Sequence, residues 1–406
     1  MIKKLWTLLL ILALLSGCGG GTIPPPPEEP APPAGSAGPE SPEQPEPLPE
    51  PEPPADPLEV LVNSLSLEEK VGQLFFVRCP AENAVEDISA YHLGGFLLFG
   101  QDTRDKTASE LIQTIAAYQS AAEEDTGIPL LIGVDEEGKT VVRVSSNPHL
   151  RSKKFSNPKT LWEAGMEAID SETREKALLL KALGINVNLA PVADVSTNPN
   201  DFIYDRTTGR DAETAGAYVA RVVEMQSRYG LGSVLKHFPG YGNNQDTHNG
   251  AAVDERPWET FETQDLLPFQ AGIKAGTQAG LPPAVLVSHN IVNCMDAELP
   301  ASLSPAVHKI LREDLDFEGV AITDDLAMDA VAAYAGDGSA AVMALEAGND
   351  LLITSDYRSQ IPGVLDAVGL GTLDEAVIDA ACLRVLRWKL ELGLLALTEE
   401  GERKGA

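Results

Sequence analysis

The chain has 406 residues, 43% of them hydrophobic, which is enough for one large domain or two ordinary ones with a sizeable core. Its 61 acidic and 30 basic residues give a formal charge of −31. The phosphates of a nucleic acid would be repelled by such a chain, so nucleic acid is excluded as a partner class.

The N-terminus stands apart from the fold. Lys3 and Lys4 precede the apolar run Leu5 to Leu15, which is too short to span a bilayer permanently and suits the core of an export signal. The run ends in Leu15-Ser16-Gly17-Cys18, which looks like the bacterial lipoprotein box. Residues 1–17 are then a cleaved signal peptide, and Cys18 is acylated and holds the protein to the cell membrane from outside. The alternative is an ordinary secretory signal with a chance cysteine. Residues 18–57 are expected to be a disordered tether. From Thr22 to Pro57 the chain is mostly Pro, Glu and Ala, carries no Lys or Arg, and lacks the apolar side chains needed to bury a core. In polyproline form it would reach on the order of 100 Å. The folded body is expected over 58–398, with a flexible tail over 399–406. Cys79, Cys294 and Cys382 are far apart, odd in number and lack metal-ligand spacing. They read as buried thiols rather than as disulfides or a zinc site.

Within the body, 58–70 reads as a helix with Ser66 a possible N-cap. Eight apolar runs follow, at 72–79, 94–100, 129–137, 185–195, 232–238, 284–292, 319–326 and 350–355. Each is continuous rather than alternating, as expected of strands buried on both faces. Amphipathic stretches near 107–123, 164–182, 212–229, 259–277, 304–314, 338–347, 358–368 and 373–394 predict the intervening helices. Eight such units predict a (β/α)8 barrel of the TIM type. A doubly wound sheet is the alternative, but the Gly-rich phosphate loop that would favour it is absent.

Ionisable residues collect at the C-terminal ends of these runs: Asp135 and Glu136, Asp194, Lys236 and His237, His289, and Asp324 with Asp325. In a barrel those ends meet at one mouth. Asp324 follows Val320-Ala321-Ile322-Thr323 and is held rigidly, as suits a carboxylate nucleophile on a sugar carbon. Asp325 should point elsewhere and cap the next helix. An acid/base partner is available in the loop after Pro239-Gly240, where Asp246 and His248 are two apart. A carboxylate beside an imidazole fixes its tautomer and raises its basicity. Arg143, Arg206, Lys236 and His237 are donors for hydroxyls or an N-acetyl carbonyl, and Asp135 can accept from adjacent hydroxyls. No histidine spacing suggests a metal, and no cofactor is expected.

Lys236-His237-Phe238-Pro239-Gly240 with Asp246-Thr247-His248 resembles the signature of glycoside hydrolase family 3, and more narrowly its β-N-acetylglucosaminidase branch. Val134-Asp135-Glu136-Glu137-Gly138 with Arg143, Asp205-Arg206 ahead of Gly209 and Asp211, and Ile322-Thr323-Asp324-Asp325-Leu326 with Met328 are similar to further family segments. So are Ala190 to Asp194 and Pro300 to Ser304. The resemblance runs from about Leu65 to Leu392. It implies that Asp324 is the nucleophile, His248 the general acid/base and Asp246 its partner, with Asp135, Arg143, Arg206, Lys236 and His237 binding the sugar. The chain departs from the family where Tyr241-Gly242-Asn243-Asn244 replaces a His-Gly-Asp-Thr segment and where Lys139 replaces a glycine. It also stops soon after the barrel, without the second domain of larger members.

The resulting expectation is a lipid-anchored, retaining exo-β-N-acetylglucosaminidase that acts on carbohydrate, with terminal GlcNAc of cell-wall fragments as substrate. A phosphorylase on the same scaffold and a non-catalytic sugar-binding lipoprotein are the alternatives. The sequence does not set the oligomeric state, and a monomer is expected.

Overall fold

The computed structural model describes residues 56–245, 252–335 and 339–403. Its eight parallel strands follow the eight runs: β1 Phe75–Arg78, β2 Gly95–Leu98, β3 Leu131–Val134, β4 Val187–Asn188, β5 Gly232–Phe238, β6 Ala284–Val287, β7 Ala321–Thr323 and β8 Leu352–Thr354. Each strand pairs with its sequence neighbour, and β8 returns to β1 with Phe76 opposite Ile353. A parallel bridge between Ile322 and Leu351, and Leu326 N–H donating to Ile353 O at 2.9 Å, join β7 to β8 and close the ring. The expected (β/α)8 barrel is therefore the observed fold.

The continuous apolar runs are explained by burial on both strand faces. Phe76, Phe96, Ile132, Val187, Val234, Val285, Ile322 and Leu352 are all buried. Inside the ring the packing is tight: a Cβ added at Gly133 would lie 2.4 Å from Phe76 Cζ, so β3 needs a glycine where β1 projects an aromatic ring.

Local signals set most boundaries. The helix expected over 58–70 is two helices, Pro57–Ser64 and Leu67–Gln73. The second starts because Ser66 and Glu69 form a reciprocal capping box. The run 284–292 divides into β6 and a short segment, Ile291–Val292, which pairs in parallel with Val253–Asp254 outside the barrel. Cys79 and Cys382 are buried as expected, but Cys294 is exposed, because it lies in the turn that leaves this outer pair. After the final helix, Glu375–Glu391, Leu397 and Arg403 form an antiparallel bridge. Residues 399–403 of the stretch expected as a tail thus belong to an ordered turn, with Gly401 close to Pro57 and Val60.

Candidate active site

Six of the side chains expected at the site line one cavity of about 400 Å³ at the C-terminal end of the barrel: Asp135, Arg143, Arg206, Lys236, His237 and Asp324; Asp325, expected to point elsewhere, lines it too. Asp246 and His248, the expected acid/base pair, lie outside the described residues, as does Cys18. The described chain on either side of the 246–251 segment is anchored. Asn244 Nδ2 donates to Asp254 Oδ2 at 2.6 Å, and Arg256 joins Asp254 to Asp265.

The loop after β3 is shaped by Glu136. This buried carboxylate accepts the N–H groups of Arg143 at 2.9 Å and Val144 at 2.7 Å, together with the hydroxyl of Ser145. It folds the loop back so that Arg143 reaches Asp135, with Nη2 to Oδ2 at 3.4 Å. Lys139, at the tip, adopts a left-handed φ of 54°, the conformation a glycine takes without strain.

Lys236 stands on β5 between two carboxylates, with Nζ 2.6 Å from Asp135 Oδ1 and 2.6 Å from Glu137 Oε1. Arg206, on the turn Tyr204–Arg206, grips Glu137 with Nε and Nη2 at 2.9 and 2.8 Å. Burial works against every charge in this cluster, but the pairing outweighs it. The Lys236 and Arg206 pKa values are raised, and Glu137 is held well below the ordinary carboxylate range.

His237 has both ring nitrogens engaged. Nδ1 lies 2.7 Å from Asp194 Oδ2, and Arg206 Nη2 approaches Nε2 at 3.1 Å. Because a guanidinium only donates, the ring accepts at Nε2 and donates at Nδ1. His237 therefore positions Arg206 instead of offering a free donor to a ligand. Tyr241, at a departure from the family pattern, is buried with its ring 5.4 Å from that of His237, and its N–H donates to Asp194 Oδ1 at 2.7 Å.

Asp324 follows directly on β7. Its Oδ1 accepts the Asp325 N–H at 2.9 Å. Burial pushes its pKa up, but the imidazoles of His289 and His237, that N–H and the Lys236 ammonium pull it down further, and the net shift is downward. His289 is buried behind it, with Nδ1 on Ser302 Oγ at 2.7 Å and Nε2 on Asp325 O at 3.1 Å. Asp325 does not cap the following helix as expected. Its Oδ1 accepts the N–H groups of Ala327 and Ser355, because the chain makes a turn before the helix begins at Asp329.

The site also uses residues that the sequence reading left without a role. Glu137 lay inside a recognised segment, and Asp194 and His289 stood at strand ends, but nothing in the sequence paired them with Arg206, His237 or Asp324. Arg78 ends β1 just as the others end their strands, so the same signal could have found it. Phe99 follows β2 as one more apolar residue in a run and gave no signal.

The arrangement is an acceptor–donor wall of Asp135, Lys236 and Arg206 across a cavity from an ionised carboxylate on a rigid strand end. The comparisons agree with it. The chain is 31% identical over 341 residues to the Mycobacterium tuberculosis protein named beta-hexosaminidase LpqI, covering 80% of this chain and 83% of that one. A Methylococcus capsulatus beta-hexosaminidase is 31% identical over 277 residues, 68% of this chain and 79% of its own. Among solved structures, a glycoside hydrolase family 3 beta-N-acetylglucosaminidase from Paenibacillus superposes with a TM-score of 0.75 at 30% identity. That match covers 82% of this chain but only 65% of the Paenibacillus chain. The M. tuberculosis LpqI structure superposes at 0.72 with 29% identity, covering 82% of this chain and 96% of the other. The family model of the glycosyl hydrolase family 3 N terminal domain matches residues 66–388. The chain belongs to glycosyl hydrolase family 3.

Proposed function

We propose that this hydrolase is a retaining exo-β-N-acetylglucosaminidase that removes terminal GlcNAc through a covalent glycosyl-Asp324 intermediate. The observation that carries the reading is the placement of Asp324: a carboxylate with a lowered pKa, on a rigid strand end, facing a wall built to bind hydroxyls. The names of the relatives support the sugar assignment.

Each wall residue has capacity left for the sugar. Asp135 accepts Lys236 on one oxygen and Arg143 on the other, which leaves lone pairs for hydroxyls. Lys236 uses two of its three N–H donors on carboxylates and keeps one. Arg206 uses Nε and Nη2, so its Nη1 is uncommitted. These contacts hold the sugar in place while Asp324 attacks the anomeric carbon. His248, oriented by Asp246, delivers the proton to the leaving oxygen and then activates water.

Residues 1–17 serve as the signal, acylated Cys18 as the membrane anchor, and the stretch from Cys18 up to the Asp56 cap of the first helix as a tether that sets the barrel off from the cell surface toward wall-derived fragments. Incorporation of labelled palmitate by the wild type and not by Cys18→Ala tests that part.

The activity is tested with p-nitrophenyl β-GlcNAc. The wild type releases p-nitrophenol, and the β-anomer of GlcNAc appears first by NMR. Asp324→Asn loses at least about a thousandfold in kcat. Persistence of wild-type rates in Asp324→Asn, or first appearance of the α-anomer, rules the mechanism out.

A further inference from the structure

One cation in the cavity has no carboxylate partner among the described residues. Arg78, at the end of β1, lies with its Cζ 4.2 Å from the centroid of the Phe99 ring. Among the described residues its guanidinium donates no hydrogen bond and has no carboxylate within ion-pair distance. Arg143, Arg206 and Lys236 each face at least one carboxylate. Asp102 feels the Arg78 charge, but its Oδ2 accepts the Phe99 N–H at 2.7 Å. In a chain of formal charge −31, acidic partners are abundant, so an arginine in a cavity without one is available to a ligand.

A second guanidinium lies against the same ring. Arg143 Cζ is 5.3 Å from the Phe99 centroid, and its Nε is buried without a hydrogen-bond partner among the described residues. Its contact with Asp135 is long, at 3.4 Å. A buried N–H without an acceptor costs free energy until a ligand supplies one. The position on the ring also matters. In the strand order, Arg78 and Phe99 occupy the arc from β7 through β8 to β3, between Asp324 and Asp135. Lys236, His237 and Arg206 occupy the other arc. The hydroxyl-binding wall and the Arg78–Phe99 pair are thus separate faces of one cavity.

We propose that Arg78, braced on Phe99 and beside Arg143, binds an oxyanion next to the sugar site. A planar guanidinium fork matches a carboxylate or a phosphate in two parallel hydrogen bonds. The source is either a carboxylate carried by the glycoside beyond the scissile bond or free inorganic phosphate. The inference rests on the glycosidase reading of the cavity and narrows it to anionic ligands.

The test compares 4-carboxyphenyl and 4-nitrophenyl β-GlcNAc in wild type, Arg78→Gln and Arg78→Lys, with calorimetric titration of the 4-carboxyphenyl glycoside and of inorganic phosphate alongside. The expected result is that Arg78→Gln lowers kcat/KM on the carboxylate substrate about tenfold more than on the nitrophenyl one, through KM, with partial recovery in Arg78→Lys. Phosphate that binds wild type but not Arg78→Gln, with an unchanged ratio between the two glycosides, assigns the site to free phosphate. An unchanged ratio with no Arg78-dependent phosphate binding overturns the proposal. Circular dichroism of each variant separates a binding loss from a folding loss. If the wild type cleaves neither glycoside, the activity reading fails alone, and the two titrations still decide whether Arg78 holds an anion.

Discussion

Lys236 and Lys389 are almost equally hidden, 3% and 0% exposed, yet the two ends of the barrel treat them in opposite ways. At the C-terminal mouth, Lys236 sits between Asp135 and Glu137, and its pKa is raised. At the other end, Lys389 of the last helix donates, among the described residues, only to Gln73 Oε1, at 2.7 Å, and burial lowers its pKa to about 7. An amide oxygen can accept a hydrogen bond but cannot balance a charge. Burial alone therefore does not say what a lysine does. The mouth keeps its ammonium charged because two carboxylates, of which Glu137 is itself held down by Arg206 and Lys236, outweigh desolvation.

The largest test of that contrast is Lys236→Met. It leaves the buried Glu137 and the half-buried Asp135 with only Arg206 and Arg143 among the described residues to answer them, and should cost on the order of 3–5 kcal/mol in urea unfolding. The kcat/KM on p-nitrophenyl β-GlcNAc should fall about a hundredfold or more. A small loss in both would mean that the carboxylates share a proton and that Lys236 is not the balancing charge. The sign for Glu137 runs with it. Its folded pKa is depressed from 4.5, so its stabilisation is present above that pH and is lost as pH falls through the folded value.

Lys389→Met should behave in the opposite sense. The folded pKa of about 7 lies below the ordinary 10.5, so between those values the unfolded chain binds a proton that the folded chain does not. Wild-type stability therefore rises with pH across that window, by about 1.4 kcal/mol for each unit well inside it. The methionine variant has no such term. Its advantage over wild type should be greatest near pH 7 and shrink toward pH 10 in parallel melts. A pH-independent difference would show that Lys389 stays charged. Gln73 loses its partner in the variant at every pH, which shifts the curve without changing its slope.

The smallest effect belongs to Lys139, which is exposed and 3.9 Å from Asp205. Pairs of that kind contribute little. Lys139→Gly removes the pair but relieves the left-handed backbone, so stability should change by no more than about 1 kcal/mol. A large loss in thermal unfolding would give the exposed lysine a role that its surroundings do not suggest.

Strand runs, helices and the barrel were legible from the chain because both depend on local pattern. Continuous apolar runs mean burial on two faces, and amphipathic stretches between them mean helices laid on that ring. Four of the site residues, Asp135, Lys236, His237 and Asp324, were legible for a related reason, since strand ends in a parallel barrel converge whatever the details; Arg143 and Arg206 lie in loops and were legible through the family segments they resemble. Ser66 was equally visible as an N-cap, whereas its reciprocal box with Glu69 and the break it makes in the helix expected over 58–70 were not. Cys294 was read as buried, but an outer strand pair that no pattern announced carries it to the surface.

Sequence by itself determined the eight-fold alternation, the strongly acidic charge and the presence of an ionisable mouth, because composition and periodicity act along the chain. Only the tertiary structure decided which charge answers which: Glu137 with Arg206 and Lys236, Asp194 with His237, and Arg78 with none of the described carboxylates. Those partners lie tens of residues apart, and their pairing depends on distances of a few ångströms that exist only once the ring has closed.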